Sequence, residues 1–196
     1  MHLNQAQYSG PSTKSQSPWG KVETVHKLFE GAWVVTTASH GGIKLDPKRN
    51  REMPEAFRKK GGWYEEDCES SFIVLAYRRH FNDAQYEIAE KTIKNYFPDQ
   101  YETWSGKWIP LDESKVKRDR HFDLVNNDKW VGIAAVGDWH PDVPKGMVGV
   151  TATIGGDMSH DNNKSFLVPV EEYQARTGRF VVDPAKHQTI STLALR

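Results

Sequence analysis

A β-rich run over residues 32–38 ends at Ser39-His40-Gly41-Gly42. A second glycine pair, Gly61-Gly62, opens directly into Trp63-Tyr64-Glu65-Glu66-Asp67-Cys68-Glu69. These two stretches restrict the fold more than any other part of the chain. Paired glycines interrupt regular structure and reach backbone conformations closed to other residues. The expectation is a strand that delivers His40 at its end, a turn at Gly41-Gly42, and a new element after Gly62. The same stretches hold a histidine, the single cysteine and four carboxylates within five positions, which is unusual for plain packing.

The rest of the chain is arranged around them. Residues 1–17 are polar and rich in Ser and Gln, and read as a flexible N-terminal arm. A single domain is expected over residues 18–196, starting at Pro18-Trp19-Gly20. Residues 22–29 and 32–38 form a β-hairpin through Glu30-Gly31. Asp46-Pro47 starts a short helix over residues 48–53, with Asp46 as N-cap. A second helix restarts at Pro54 and stops at Gly61-Gly62. The next helix, over about residues 65–80, is expected to be central. Tyr64, Cys68, Phe72, Leu75, Ala76 and Arg79 fall on one of its faces. Glu65, Glu66 and Asp67 would then fill its first turn, where the helix dipole favours negative charge. Asn82-Asp83 caps a further helix to about residue 97, with Tyr86, Ile88, Ala89, Ile93 and Phe97 as apolar members. Pro98 opens a shorter one that stops at Gly106.

After a charged, helical stretch over residues 112–126 the character turns to β. Residues 130–136, 147–154, 165–168 and 179–182 read as strands, and residues 169–176 as a short helix. The order predicts an α+β fold: N-terminal β-hairpin, central helices over about residues 46–126, and a mostly antiparallel C-terminal sheet over about residues 129–187.

Charge narrows the function classes. The 26 basic and 26 acidic residues cancel, which argues against a DNA mimic and disfavours non-specific nucleic-acid binding. One cysteine excludes a disulfide framework and a four-cysteine zinc site. The N-terminus lacks the apolar core of a signal peptide, and the apolar run at residues 72–77 is too short to cross a bilayer. No membrane association and a cytoplasmic location are the resulting expectations.

Several chemistries fit the two glycine-flanked stretches. Cys68 near a helix start with His40 as base would suit a thiolate nucleophile, but Glu65, Glu66, Asp67 and Glu69 raise a thiol's pKa, and helical phase turns Cys68 inward. His40 with Glu65, Glu66 or Asp67, or with distant His140 or His160, has the donor types for Mg, Mn, Fe or Zn. Its spacing matches no ligand signature, so no metal is assigned. His40 and a carboxylate would serve equally as an acid–base pair. The structural alternative is that the carboxylates cap a helix and answer the seven basic residues Lys44, Lys48, Arg49, Arg51, Arg58, Lys59 and Lys60 by ion pairs. Gly41, Gly42, Trp63 and Tyr64 are the accompanying candidate binding residues. The basic run of residues 115–120 is a weaker candidate for nucleic acid, better read as a solvated helix face. The 7 tryptophans are candidates for a protein-recognition surface.

The pattern Trp19-Gly20, Ser39-His40-Gly41-Gly42-Ile43, Arg49, Pro54 and Gly62-Trp63-Tyr64-Glu65-Glu66-Asp67-Cys68 resembles a domain of unknown function from proteins of bacteriophages, plasmids and other mobile elements. The resemblance covers roughly the first 80 residues, and FLVPVEEYQARTGRFVVDP more loosely. It implies a genetic setting: an accessory protein in a bacterial host, acting against host defence by binding a host protein. The alternative is a small hydrolase or transferase using His40 with Glu65, Glu66 and Asp67. The resemblance supplies a setting and not a mechanism, and it leaves any cofactor unassigned.

Overall fold

The computed structural model describes residues 10–158, 162–190 and 193. They form two compact units, Met1–Arg118 and Asp119–Arg196. Each unit has its own sheet, and together they make an α+β protein.

The first unit opens with a two-stranded ribbon, β1 (Gln16–Ser17) and β2 (Gly20–Lys21). Residues 10–17, expected in the arm, are therefore placed; Gly10 lies against the Trp33 ring. Residues 1–9 lie outside the described residues. The hairpin follows as β3 (Thr24–Phe29) and β4 (Ala32–Thr36), and β5 (Gly41–Leu45) and β6 (Trp63–Glu65) complete an antiparallel sheet in chain order.

Two expectations change here. Gly41-Gly42 is not the turn. The chain reverses over residues 37–40, where the Thr37 N–H and hydroxyl both donate to the His40 carbonyl, at 2.7 and 2.9 Å. Both glycines instead lie flat in β5. A Cβ on Gly41 would overlap the Glu66 carboxylate, and one on Gly42 would overlap the Tyr64 carbonyl and the Trp19 ring. Their small size, rather than their freedom to turn, is what this place uses.

The second change concerns residues 63–69. Trp63–Glu65 is a strand and residues 66–69 are turns, so the helix α2 (Ser70–Ala76) starts five residues later than expected. The four-residue spacing of Tyr64, Cys68 and Phe72 imitates a helix, but the pairing of Ile43 with Tyr64 overrides it. Glu65, Glu66 and Asp67 therefore cap no helix dipole. The Glu69 carboxylate accepts from the Glu65 N–H at 3.1 Å, and that of Glu65 accepts from Asp67 N–H at 2.9 Å. The turn is tied by its own side chains.

Beyond β5, α1 (Pro47–Glu52) is N-capped by the Asp46 side chain, as expected. The restart at Pro54 is only a single 3-10 turn over Glu55–Phe57. α3 (Asp83–Tyr96) has a full capping box between Asn82 and Gln85, and α4 (Pro98–Ser105) stops at Gly106, whose φ is 67°. Ile88 does not join the core; it is 68% exposed. The core lies between the helices and one sheet face, with Ala32, Ile43, Leu45 and Tyr64 from the strands meeting Phe57, Phe72, Ile73, Ile93 and Tyr101. Phe72 stacks on Phe57 and meets a tilted Phe97, each ring centroid 4.8 Å away. α5 (Lys115–Val125) ends the first unit and begins the second.

The second unit is a five-stranded antiparallel sheet of β7 (Trp130–Val136), β8 (Met147–Ile154), β9 (Lys164–Pro169), β10 (Val181–Val182) and β11 (Gln188–Ile190), in the order β10-β7-β8-β9-β11. The first four match the expected runs; β11 carries no apolar alternation and was not anticipated. α6 (Val170–Gln174) covers one face through Val170 and Tyr173, with Phe180 and Val182 beside it. Val143 and Leu193 cover the other.

One buried phenol makes the first unit sensitive to alkali. Tyr77 donates to the Arg49 carbonyl at 2.6 Å, and burial first, then the Glu52 charge, pushes its pKa from 10.0 up to about 12. A folded-state pKa above the unfolded one stabilises the fold at lower pH, and that contribution disappears as pH rises through the folded value. Urea unfolding of the wild type should show stability falling between about pH 10 and pH 12, with a shallower fall in Tyr77→Phe.

Candidate functional site

The site forms at the end of the first sheet. The pairing of β5 with β6 sets Gly42 opposite Glu65 and continues with a bond from Glu66 N–H to the Gly41 carbonyl, at 3.2 Å. His40 immediately precedes β5, so the same ladder carries it to the acidic turn. The outcome is a cluster of His40, Glu65 and Glu66 whose ligand-type atoms all lie within 4.8 Å of one another. His40 and Glu66 are exposed and Glu65 is half-buried.

The three side chains differ in what already holds them. Glu65 uses one oxygen on the turn, accepting from Asp67 N–H and more distantly from Cys68 N–H at 3.4 Å. The Glu66 carboxylate and the His40 imidazole make no hydrogen bond or ion pair among the described residues. Two carboxylates so close repel unless a cation or a shared proton lies between them. Nearby basic residues do not serve. Lys59 pairs with Glu69, Arg49 with Glu52 at 2.9 Å, and Lys44 donates to the Gly61 carbonyl. The expected neutralisation of the acidic turn by the basic segment thus reaches only Glu69.

Asp67 and Cys68 do not belong to the cluster. Burial, then the charges of Glu65, Asp67 and Glu69, push the Cys68 thiol pKa up, which keeps it protonated and a poor nucleophile. Tyr64 is fully buried; its hydroxyl donates to Asn50 Oδ1 at 2.8 Å and accepts from Lys59 N–H at 3.2 Å. It positions β6 and touches no solvent. Trp63 is half-buried, edge-on to Trp19 with ring centroids 5.9 Å apart, and Lys44 Nζ lies 4.9 Å from its centroid. His140 lies in the second unit, where its Nδ1 accepts from Asp142 N–H at 3.3 Å, and is not in the cluster. His160 lies outside the described residues.

Sequence reasoning missed Trp19, whose ring lies over Gly42 and so borders Glu65. A tryptophan beside Gly20 reads as the start of folded structure, and nothing local ties it to a glycine over twenty positions away.

The two glycines separate site geometry from stability. Gly41→Ala displaces mainly the end of the flexible Glu66 side chain, so its stability should stay within about 1 kcal/mol of wild type while the cluster is disrupted. Gly42→Ala meets the Tyr64 backbone and should cost more than about 2 kcal/mol. Denaturant titration of both variants checks the difference.

Neither a curated protein nor a solved structure matches the chain. Residues 12–127 match the family described as Domain of unknown function (DUF7007). That match takes in the whole cluster and extends through the helices that the resemblance at residues 1–80 did not reach. It spans more than half of the sequence, and the chain belongs to that family.

Proposed function

We propose that the protein is a small hydrolase in which His40, Glu65 and Glu66 hold a divalent cation. The observation that carries this reading is the convergence of one imidazole and two carboxylates within 4.8 Å, with the side chains of Glu66 and His40 not engaged elsewhere among the described residues. One nitrogen and two oxygen donors suit Zn, Mn or Fe, and three protein ligands leave coordination positions open. A cation held there supplies Lewis acidity and lowers the pKa of water. The chain's own part is to fix the donors. The Thr37–His40 turn sets the imidazole, the β5–β6 ladder sets both carboxylates, and the two N–H groups on Glu65 leave it one oxygen free. Glu66 and His40 are the least restrained of the three, and as exposed donors they are free to close on the cation.

Calorimetric titration with Zn²⁺ and with Mn²⁺ should give one saturable site. His40→Ala and Glu66→Gln should each weaken it at least about tenfold without shifting the melting temperature. Hydrolysis of p-nitrophenyl ester or phosphodiester substrates should then depend on the added ion and be lost in Glu66→Gln. Absence of saturable binding, or equal binding by the variants, rejects the reading.

A second reading keeps the mobile-element setting: an accessory factor that acts against host defence by binding a host protein. Trp108 and Trp139, 73% and 76% exposed, favour it, because large aromatics at a surface are common anchors of protein interfaces. Nucleic acid is less favoured. Lys117 already pairs with Glu102 and lies over Trp108, and Arg118 donates to the Asp112 carbonyl. Affinity capture from bacterial lysate should recover a stoichiometric partner that Trp108→Ala or Trp139→Ala loses; identical recovery with both variants removes the aromatic basis for it. No described helix is long and apolar enough to cross a membrane.

A further inference from the structure

The sheet of the second unit leaves one strand edge open. β10 has two residues and pairs only with Trp130 and Val131 of β7. One further bond, from Gly132 N–H to the Phe180 carbonyl at 2.8 Å, ends that ladder. Among the described residues no strand pairs with residues 133–136 on this side. A strand with a single neighbour presents unpaired N–H and C=O groups along its free side, and folds usually blunt such an edge with Lys or Pro. This edge is Ile133-Ala134-Ala135-Val136, with neither. Ile133 is a bulge, since Gly132 pairs with Ala152 and Ala134 with Thr151. Bulges bend a strand and re-aim its edge, and they recur beside binding sites.

The edge forms one wall of a groove of about 390 Å³. Ile133, Ala134 and Ala135 line it together with Tyr173, Arg176 and Arg179. Small residues on the strand side leave room for a second backbone. Among the described residues the groove's lining includes the guanidinium groups of Arg176 and Arg179 and no carboxylate. Arg179 is already paired with Asp123 and lies over the Phe122 ring. Arg176 stacks on Tyr173, 3.7 Å from its centroid, and donates to the Tyr173 carbonyl at 2.6 Å. It has no carboxylate partner among the described residues. A guanidinium held by stacking keeps its outer N–H groups free for a bidentate carboxylate.

We propose that this groove binds an extended, acidic peptide segment of a partner protein. The segment adds as a strand to residues 133–136, and one of its carboxylates pairs with Arg176. Main-chain bonds along the edge supply affinity, and the arginine supplies the preference for acidic residues. Charge points away from the chain's own N-terminus as occupant, since residues 1–9 contain no acidic side chain. The proposal stands on the second unit alone and is independent of the cation site.

The probe is a synthetic peptide of about nine residues alternating Thr, Val and Glu, with a copy carrying Lys for Glu and another carrying a central Pro. Binding is read from the backbone amide shifts of the full chain. The Glu peptide should move the amides of residues 133–136 saturably, and the Pro copy should not. Arg176→Glu should weaken the Glu peptide at least about tenfold and improve the Lys copy over wild type. Arg176 is exposed, so this variant should fold, and a thermal melt checks that it does. If it does not, the Glu and Lys peptides on the wild type decide the matter alone. Three results overturn the proposal: no shifts at residues 133–136 up to about millimolar peptide, equal binding of the Glu and Lys peptides, or self-association of the chain through this edge without peptide.

Discussion

The pairing of Ile43 with Tyr64 is the contact on which the first unit depends. It joins two strands separated by residues 46–62, a stretch of turns and short helices, and it sets the register of everything around the cluster. Side chains alternate faces along a strand, so a slip of one residue would expel Tyr64 from the core and exchange the positions of Glu65 and Glu66. Tyr64 prevents the slip. Its ring is sealed in the core, and its hydroxyl is satisfied by Asn50 and by the Lys59 backbone. Losing those partners would leave buried polar groups unpaired, at about 1–3 kcal/mol each. The position of two solvent-facing carboxylates is thus determined by a side chain that never meets solvent.

That arrangement explains why charge is unevenly settled across the acidic turn. Glu69 lies next to Lys59 and is neutralised by it. Glu65 is half-used by the turn's own N–H groups. Glu66 extends over Gly41, where the missing Cβ admits it, and ends beside His40. Seven basic residues precede the turn in sequence, yet only Lys59 reaches it, while Arg49, Lys44 and Arg58 are engaged elsewhere. An imbalance that survives so much nearby positive charge is a property of the backbone path, and composition could not reveal it.

How far the sequence could be read follows from the same physics. The strands of the second unit were legible because Trp130–Val136 and Met147–Ile154 are continuous β-prone runs bounded by turn residues, a local signal. The caps at Asp46 and Asn82 and the stop at Gly106 were legible for the same reason. β6 was not, because three residues carry no period of their own and the helical spacing from Tyr64 to Phe72 suggested a different element. Only pairing with a distant strand makes Trp63–Glu65 extended. The meeting of His40 with the carboxylates was anticipated, but through a helix N-terminus that does not exist there. His40 meets Glu65 and Glu66 but not Asp67 or Cys68, and a strand rather than a helix carries Glu65 to it.

Both proposed sites lie where a ladder ends early. β6 runs for three residues and β10 for two, each at one edge of its sheet. A short edge strand protects only the length that it covers. Beyond β6 the chain curls into a turn whose side chains, not a further strand, occupy the end of β5. Beyond β10 one bond, from Gly132 N–H to the Phe180 carbonyl, ends the described pairing on that side of β7. The interior of each sheet is fully committed to its core, and substitutions there would be felt as lost stability. The ends are the places where side chains and backbone groups remain uncommitted, and a change there can alter binding without altering the fold. That difference is why the cluster at His40 and the edge at Ile133 can be probed separately from the structures that present them.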